Sequence, residues 1–369
     1  MKKTLVALAA LAAFGAQAQV TLYGKIDAGV RMLSQTVGGS DSAAGNVGLQ
    51  VNTAGMSGSR WGMKGTEDLG GGLNANFQLE GQFSVDTGEP ANTKTFHRQS
   101  WVGLSGAFGS LSFGRQYTPL DTFWGTYDAT GYSTNSAMGY TWGGAAANTT
   151  GNKGGVAGDI GRADNSILYQ IPAMSGVTAQ FMYGPDETKT PTKDAGAYVG
   201  FLVGYAAGPL TLHVGYENIV VKTAAVAAVA ATPGTDPIVV GSKAVPAVDT
   251  STNSTMGGVS YNLGVAKLSG AIQRASNALG DDNGWMVGVN VPAGAATVSL
   301  SYSTETYKLV GNNFDGVSNA IAGHVVYPMS KRTNVYLNFL RGDATLSAAA
   351  AGAAQTVNTY YGAGVRHDF

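Results

Sequence analysis

Cysteine is absent from all 369 residues, so the chain has no disulfide framework, no thiolate metal site and no cysteine nucleophile. Charge is scarce: Asp, Glu, Lys and Arg together make 12% of the residues, about half of the roughly 25% usual for a globular protein. The formal net charge is only −1, and a nucleic-acid binder would need a concentrated basic face. Beyond residue 18 no stretch approaches the length of apolar sequence that a membrane-crossing helix requires. Leu-rich amphipathic segments are missing too, which excludes a helical bundle. What is present is glycine, 54 residues of it, with Ala, Ser, Thr, Asn, Val and Tyr. Hydrophobic residues at 44% and aromatics at 9% supply more burial than a disordered chain could. The mean hydropathy of +0.02, taken alone, argues against a membrane protein.

The first 18 residues stand apart. Lys2 and Lys3 precede a ten-residue apolar run from Leu5 to Phe14, and Ala16-Gln17-Ala18 has the form of a processing site. This three-part pattern predicts an export signal at 1–18, cleaved between Ala18 and Gln19. Ten apolar residues are too few for an anchor helix, which needs about 20. The mature chain, 19–369, then carries 20 basic against 23 acidic residues, a net charge of −3. A chain exported without such a helix either stays in solution or enters lipid as a closed barrel, the other architecture that satisfies every backbone group there.

Alternation decides between these. Val20, Leu22, Ile26, Ala28 and Val30 share one parity, while Thr21, Lys25, Asp27 and Arg31 share the other. In a strand these are opposite faces. The pattern recurs with Leu73, Ala75, Phe77, Leu79 and Phe83 against Asn74, Asn76, Gln78, Glu80 and Gln82. It recurs again with Ala296, Val298, Leu300 and Tyr302 against Thr297, Ser299, Ser301, Ser303 and Glu305. The polar parity is small, uncharged or amide-bearing, poor in the Lys and Glu of a soluble surface. It fits a water-filled interior, with the apolar parity facing lipid.

Such runs predict strands at 20–31, 59–67, 72–83, 97–105, 109–116, 164–172, 176–184, 196–206, 209–220, 255–263, 265–275, 284–292, 295–306, 318–328, 332–343 and 357–369. The number is even, as a single-chain bacterial barrel requires. Short glycine-bearing turns such as 67–71, 207–208 and 293–294 alternate with long polar connections at 32–58, 117–163, 221–254 and 344–356. That sidedness puts both termini on the periplasmic, short-turn side. Aromatics near strand ends (Tyr23, Trp61, Tyr183, Tyr205, Tyr216, Tyr261, Trp285, Tyr302, Tyr327 and Tyr361) fit interfacial girdles, although strand propensity alone also favours aromatics. The segment 221–254, with Pro233, Pro237 and Pro246, reads as an extracellular loop rather than a central strand.

Several other signals carry no chemistry. His97, His213, His324 and His367 have no metal-ligand spacing, and Gly70-Gly71-Gly72 lacks the strand-to-helix setting of a phosphate loop. Asn148-Thr149-Thr150 fits a glycosylation sequon only in another secretory pathway. No cofactor and no catalytic constellation is indicated.

The mature chain resembles, along its whole length, the Gram-negative general porins of the neisserial and burkholderial type. The resemblance rests on Val20-Thr21-Leu22-Tyr23-Gly24-Lys25-Ile26-Asp27, on the hairpin Ser59-Arg60-Trp61-Gly62-Met63-Lys64-Gly65-Thr66-Glu67-Asp68-Leu69-Gly70-Gly71, and on Phe113-Gly114-Arg115-Gln116. It rests also on Arg162-Ala163-Asp164-Asn165-Ser166-Ile167-Leu168-Tyr169 and on Gly364-Val365-Arg366-His367-Asp368-Phe369. It implies an all-β, sixteen-stranded antiparallel transmembrane barrel, a homotrimer in outer-membrane lipid, and a third extracellular loop, 117–163, folded into the pore. It implies also that Tyr361, Val365 and Phe369 of the last strand are offered to the barrel-insertion machinery.

A passive pore needs fixed charge at its narrowest point. Arg60 and Lys64 have the lumen parity of their strand, opposite Trp61 and Met63, and Arg162 shares parity with Ser166 and Gln170. Arg98 shares parity with Val102 and Leu104 and enters the basic wall on the resemblance. Arg115 falls with Leu111 and Phe113, so it is a poor lumen residue. Asp121 and Asp128 of the third loop, with Glu80, are the expected opposing acids. The expectation is a water-filled channel for ions and small hydrophilic solutes with mild anion preference, since arginine stays charged. The alternative for each charge is a solvated wall residue with no role in selectivity. For the whole chain the alternatives are a sugar-specific channel, which calls for a row of lumen aromatics, or an outer-membrane adhesin or barrel enzyme.

Overall fold

The computed structural model describes residues 19–37, 40–41, 47–52, 54–142, 161–185, 197–223, 248–277, 280–309, 314–348 and 352–369. The segment 1–18, with Ala18 of the processing site, lies outside them, as do the sequon at 148–150 and the prolines 233, 237 and 246.

Sixteen long strands, each antiparallel to the next, form one closed sheet. In order they are β1 (Gln19–Val37), β4 (Arg60–Gly70), β5 (Leu73–Gln82), β6 (Gln99–Gly106), β7 (Gly109–Tyr117), β8 (Arg162–Gln170), β9 (Val177–Pro185), β10 (Ala197–Ala207), β11 (Leu210–Thr223), β12 (Val248–Asn262), β13 (Lys267–Asn277), β14 (Gly280–Ala293), β15 (Ala296–Leu309), β16 (Phe314–Pro328), β17 (Thr333–Ala348) and β18 (Gly352–Asp368). Two short strands, β2 (Ser40–Asp41) and β3 (Val47–Asn52), lie in the first long connection and pair with the upper half of β1. Closure runs from Lys25↔Asp368 to Val37↔Thr356 between β1 and β18. Gly24 and Phe369 exchange both backbone bonds at 3.0 Å, and Lys25 pairs with Asp368 at 3.5 Å. No sheet edge remains there to leave backbone groups unpaired in lipid.

All sixteen predicted strands are present. Several reach further than predicted at the long-loop end: β1 runs to Val37 rather than 31, and β12 starts at Val248 rather than 255. Along 249–254 of β12 both faces carry Asp, Ser, Thr or Asn, so the alternation stops there while the pairing continues. At the other end the turns are tight. Gly70, Gly71 and Gly72 all have positive φ, of 85°, 62° and 79°, a backbone that side chains resist.

The two faces separate as the alternation requires. On β15, Val298 and Leu300 are exposed while Ser299, Ser301, Ser303 and Glu305 are buried. The outer face also exposes Trp61, Tyr183, Tyr205, Tyr261, Trp285, Tyr327 and Tyr361. Tyr23 departs from the girdle expected of it. Its hydroxyl donates to Glu80 at 2.9 Å and accepts from Gln78 at 2.6 Å, inside the barrel. No helix among the described residues is long and apolar enough to cross a membrane; the crossing is made by strands.

Candidate functional site: the lumen and its constriction

The third long connection enters the barrel and builds two helices there, neither of which the alternation reveals. α1 (Pro119–Tyr127) has a legible start, Thr118-Pro119-Leu120-Asp121. The Thr118 hydroxyl caps the Asp121 N–H, and proline occupies the first turn, where its missing donor costs nothing. α2 (Ala137–Thr141) is capped by Ser136. Leu120, Phe123, Trp124, Tyr127, Met138 and Trp142 pack against Leu202, Met256, Ala271 and Met286 of β10, β12, β13 and β14. Ala137 and Tyr140 pack against Ala320, Ala322 and Leu340. The interior is therefore not uniformly polar: one side carries an apolar strip that receives the loop.

Polar clasps ring that strip. The Tyr127 hydroxyl meets His213 Nδ1 at 2.9 Å, and the Ser133 hydroxyl meets His324 Nε2 at 3.1 Å. Trp142 Nε1 donates to Thr304 O at 3.2 Å, and Asn358 Nδ2 donates to the Tyr140 hydroxyl at 2.9 Å. Wall glycines make the room. A Cβ on Gly258 would lie 2.6 Å from the Tyr127 ring, one on Gly284 2.3 Å from Trp142, and one on Gly342 2.3 Å from Tyr140.

A second segment also dips inward. The backbone N–H groups of Met56 and Ser57 donate to Asp27 Oδ2 at 2.9 and 2.8 Å, and the Tyr336 hydroxyl donates to Asp27 Oδ1 at 2.6 Å. Thr134 of the third loop bonds to Ala54 O. Residues 54–58 thus bridge β1, β17 and the loop.

What stays open lies along the opposite wall. A cavity of about 760 Å3 is lined by side chains of β4–β9, among them Lys64, Gln78, Gln99, Trp101, Gln116 and Tyr117. Near its upper end three arginines converge. Arg98 donates from Nε to Glu80 Oε1 at 2.6 Å, from Nη1 to Gln82 at 2.8 Å, and from Nη2 to the Tyr117 hydroxyl at 2.5 Å. Arg162 donates to the same hydroxyl at 2.9 Å, to Arg98 O at 3.0 Å, and stacks 4.4 Å from the Tyr117 ring centroid, a favourable cation–π distance. Arg60 Nη1 lies 4.0 Å from Glu80 Oε1. Lys64 is exposed in the lumen with its ammonium 5.2 Å from the Tyr23 ring centroid.

Arg98 faces inward although its parity matches Val102 and Leu104, which are exposed on the outer face. β6 begins only at Gln99, so the strand period does not govern Arg98. The parity used for Arg162 also breaks, because β7 and β8 shift register between Gly114 and Gln116 and Asn165 adopts φ 51°; a bulge resets the faces. Arg162 reaches the cluster from above that bulge. Arg115 is buried beneath the 83–98 connection, bonding to His97 O and, at 2.7 Å, to Asp164.

The acids separate. Glu80 sits within the basic wall, paired with Arg98, rather than opposite it. Asp128 turns away from the wall: its carboxylate accepts from Thr130 N at 2.9 Å, from the Thr130 hydroxyl at 2.7 Å and from Tyr132 N at 3.0 Å, holding the turn after α1. Asp121 is the loop acid that feels Arg162, Arg98 and Arg60. Burial raises its carboxyl to about 6, against the lowering pull of the Tyr132 hydroxyl, which donates at 2.7 Å, and of the three arginines. Gly161, at φ +88°, lets the chain pass: a Cβ there would lie 2.0 Å from Asp121 Oδ1. Tyr336 and Tyr360, lumen aromatics by parity, are engaged by Asp27 and by the α2 contact. Trp101 escapes the sequence reading, though its position across from Val102 marks it as inward. Tyr361, Val365 and Phe369 are exposed on the outer face. Among the described residues no group of His, Asp or Glu is arranged to hold a metal ion.

A closed barrel with a lipid-facing exterior, a hydrated interior and a loop narrowing it defines a transmembrane channel protein. The model of the Gram-negative porin family matches residues 4–347, and the chain belongs to that family. It is 36% identical to outer membrane porin protein 32 of Delftia acidovorans, over all of both chains, and 33% identical to an outer membrane porin protein of Bordetella pertussis, again over all of both. Among solved structures it is similar to the anion-selective porin from Comamonas acidovorans, with TM-score 0.73 and 31% identity over 96% of this chain and 100% of that one. The protein is an outer-membrane β-barrel channel for ions and small solutes, and its relatives are porins rather than enzymes.

Proposed function

We propose that the channel conducts passively with a mild preference for anions, set by the wall of Arg60, Arg98 and Arg162 with Lys64 below it. The observation that carries this is the convergence of Arg98 and Arg162 on Tyr117, with Arg60 beside them at Glu80, against the carboxylates of Glu80 and Asp121. Fixed positive charge exceeds negative at the place where low-dielectric walls concentrate the field. The anion selectivity named for the Comamonas acidovorans relative agrees with this. In planar bilayers under a KCl gradient, the reversal potential should show Cl⁻ carrying the larger share. Arg60→Ala with Arg162→Ala should shrink that share, and an unchanged potential sinks the assignment.

We further propose that the mature chain begins at Gln19, that Tyr361, Val365 and Phe369 are read by the insertion machinery, and that three copies associate. An unheated gel showing a band near three times the chain mass, collapsing on heating, tests the last point.

A further inference from the structure

We propose that the cavity below the arginine cluster is a weak binding subsite for a sugar that bears a carboxylate, a hexuronate, which it holds in transit. The register places the parts. Thr21, Lys64, Gln78, Trp101 and Gly114 form one row across β1, β4, β5, β6 and β7. Lys64 and Trp101 are two strands apart, about 10 Å at the usual interstrand spacing, and both line the cavity.

Each member of the row offers one kind of contact. Lys64 is exposed, with a cation at the end of a flexible stem, suited to a carboxylate as a point charge. Trp101 donates its indole N–H to Gln99 Oε1 at 2.8 Å, which fixes the ring edge while the ring flanks an open space. On its far side the row continues as Gly114, with no side chain. Gln170 and Gln180, whose Oε1 atoms accept from the Ser110 and Thr122 hydroxyls at 3.1 and 3.5 Å, add amide N–H groups from neighbouring strands for a ligand's hydroxyls. Three other lumen aromatics are occupied: Tyr23 by Gln78 and Glu80, Tyr117 by two arginines, and Tyr336 by Asp27. A cavity of about 760 Å3 falls within the roughly 300–1,000 Å3 common for small-molecule sites. An aromatic face, a nearby cation and a field of amides together match a pyranose ring carrying a carboxylate better than a simple ion.

The inference needs the cavity to be part of the conducting route, but not the proposed ion preference, which the KCl reversal potential tests separately. The test is block of KCl current through the full chain in planar bilayers by glucuronate, glucose and acetate, each added from the short-turn side. Glucuronate should block saturably, glucose more weakly and acetate without saturation. Trp101→Leu should raise the half-blocking glucuronate concentration about tenfold, a loss of about 1.4 kcal/mol, while Trp101→Phe keeps most of the block. Persisting single-channel steps show that each variant is folded. Glucuronate behaving like acetate, glucose blocking equally well, or block indifferent to Trp101→Leu each overturns the proposal.

Discussion

Asp121 lies where the proposed ion preference would respond to one side chain. Its carboxyl is raised to about 6 chiefly by burial, within reach of Arg60, Arg98 and Arg162 and bonded by Tyr132, with Tyr198 and Glu217 behind it. The raised value means that the group is ionised above about pH 6 and neutral below. Lowering the pH from 8 to 5 should therefore remove a negative charge from the constriction and strengthen the preference for Cl⁻. Asp121→Asn should already show the stronger preference at pH 8 and lose the change centred near pH 6, both read from reversal potentials. Arg60 and Lys64 were legible at this scale because β4 pairs in unbroken register from Arg60 to Asp68. Arg98 and Arg162 were not legible by parity, since one precedes its strand and the other lies above a bulge. Asp128 illustrates the opposite limit: a loop acid looks the same in sequence whether it faces a pore or caps its own turn.

At the scale of elements, strand number and order follow from period-two alternation, because lipid on one side and a mostly hydrated interior on the other impose that period on the staves not covered by the loop. The internal loop follows a different rule. Its residues Phe123, Trp124, Tyr127 and Trp142 are apolar because they meet Leu202, Met256 and Met286, and that match joins positions far apart in the chain. The Thr118-Pro119-Leu120-Asp121 start of α1 was readable locally; the surface on which the helix lands was not. Glycines at 258, 284 and 342 are the sockets of this contact. Gly284→Val, which drives a side chain into the space of Trp142, should loosen the loop. The expected outcome is a higher, noisier single-channel conductance with the barrel intact by heat-dependent gel mobility. Trp142→Ala removes the ring instead, at a cost of about 3 kcal/mol in docking, and should move conductance the same way. Unchanged conductance in both would mean that the loop is held elsewhere.

For the whole molecule, the near-zero mean hydropathy is an average over two opposed faces. Val298 and Leu300 meet lipid while Ser299 and Ser301 meet the interior, and a window that sums them reports neither. Scarce charge has the same origin, because few positions face bulk water at all. High glycine divides between the tight turns, as at Gly70 to Gly72, and the wall sockets that admit the loop. The closed seam between β1 and β18 and the cavity left along β4–β9 make the molecule a tube narrowed from one side, with arginines on the open side. Current through a single molecule in a planar bilayer under a KCl gradient tests this most directly. An open, arginine-walled tube predicts discrete steps that grow with salt in parallel with bulk conductivity, and a reversal potential on the Cl⁻ side. Absence of steps, or a potential on the K⁺ side, would contradict it.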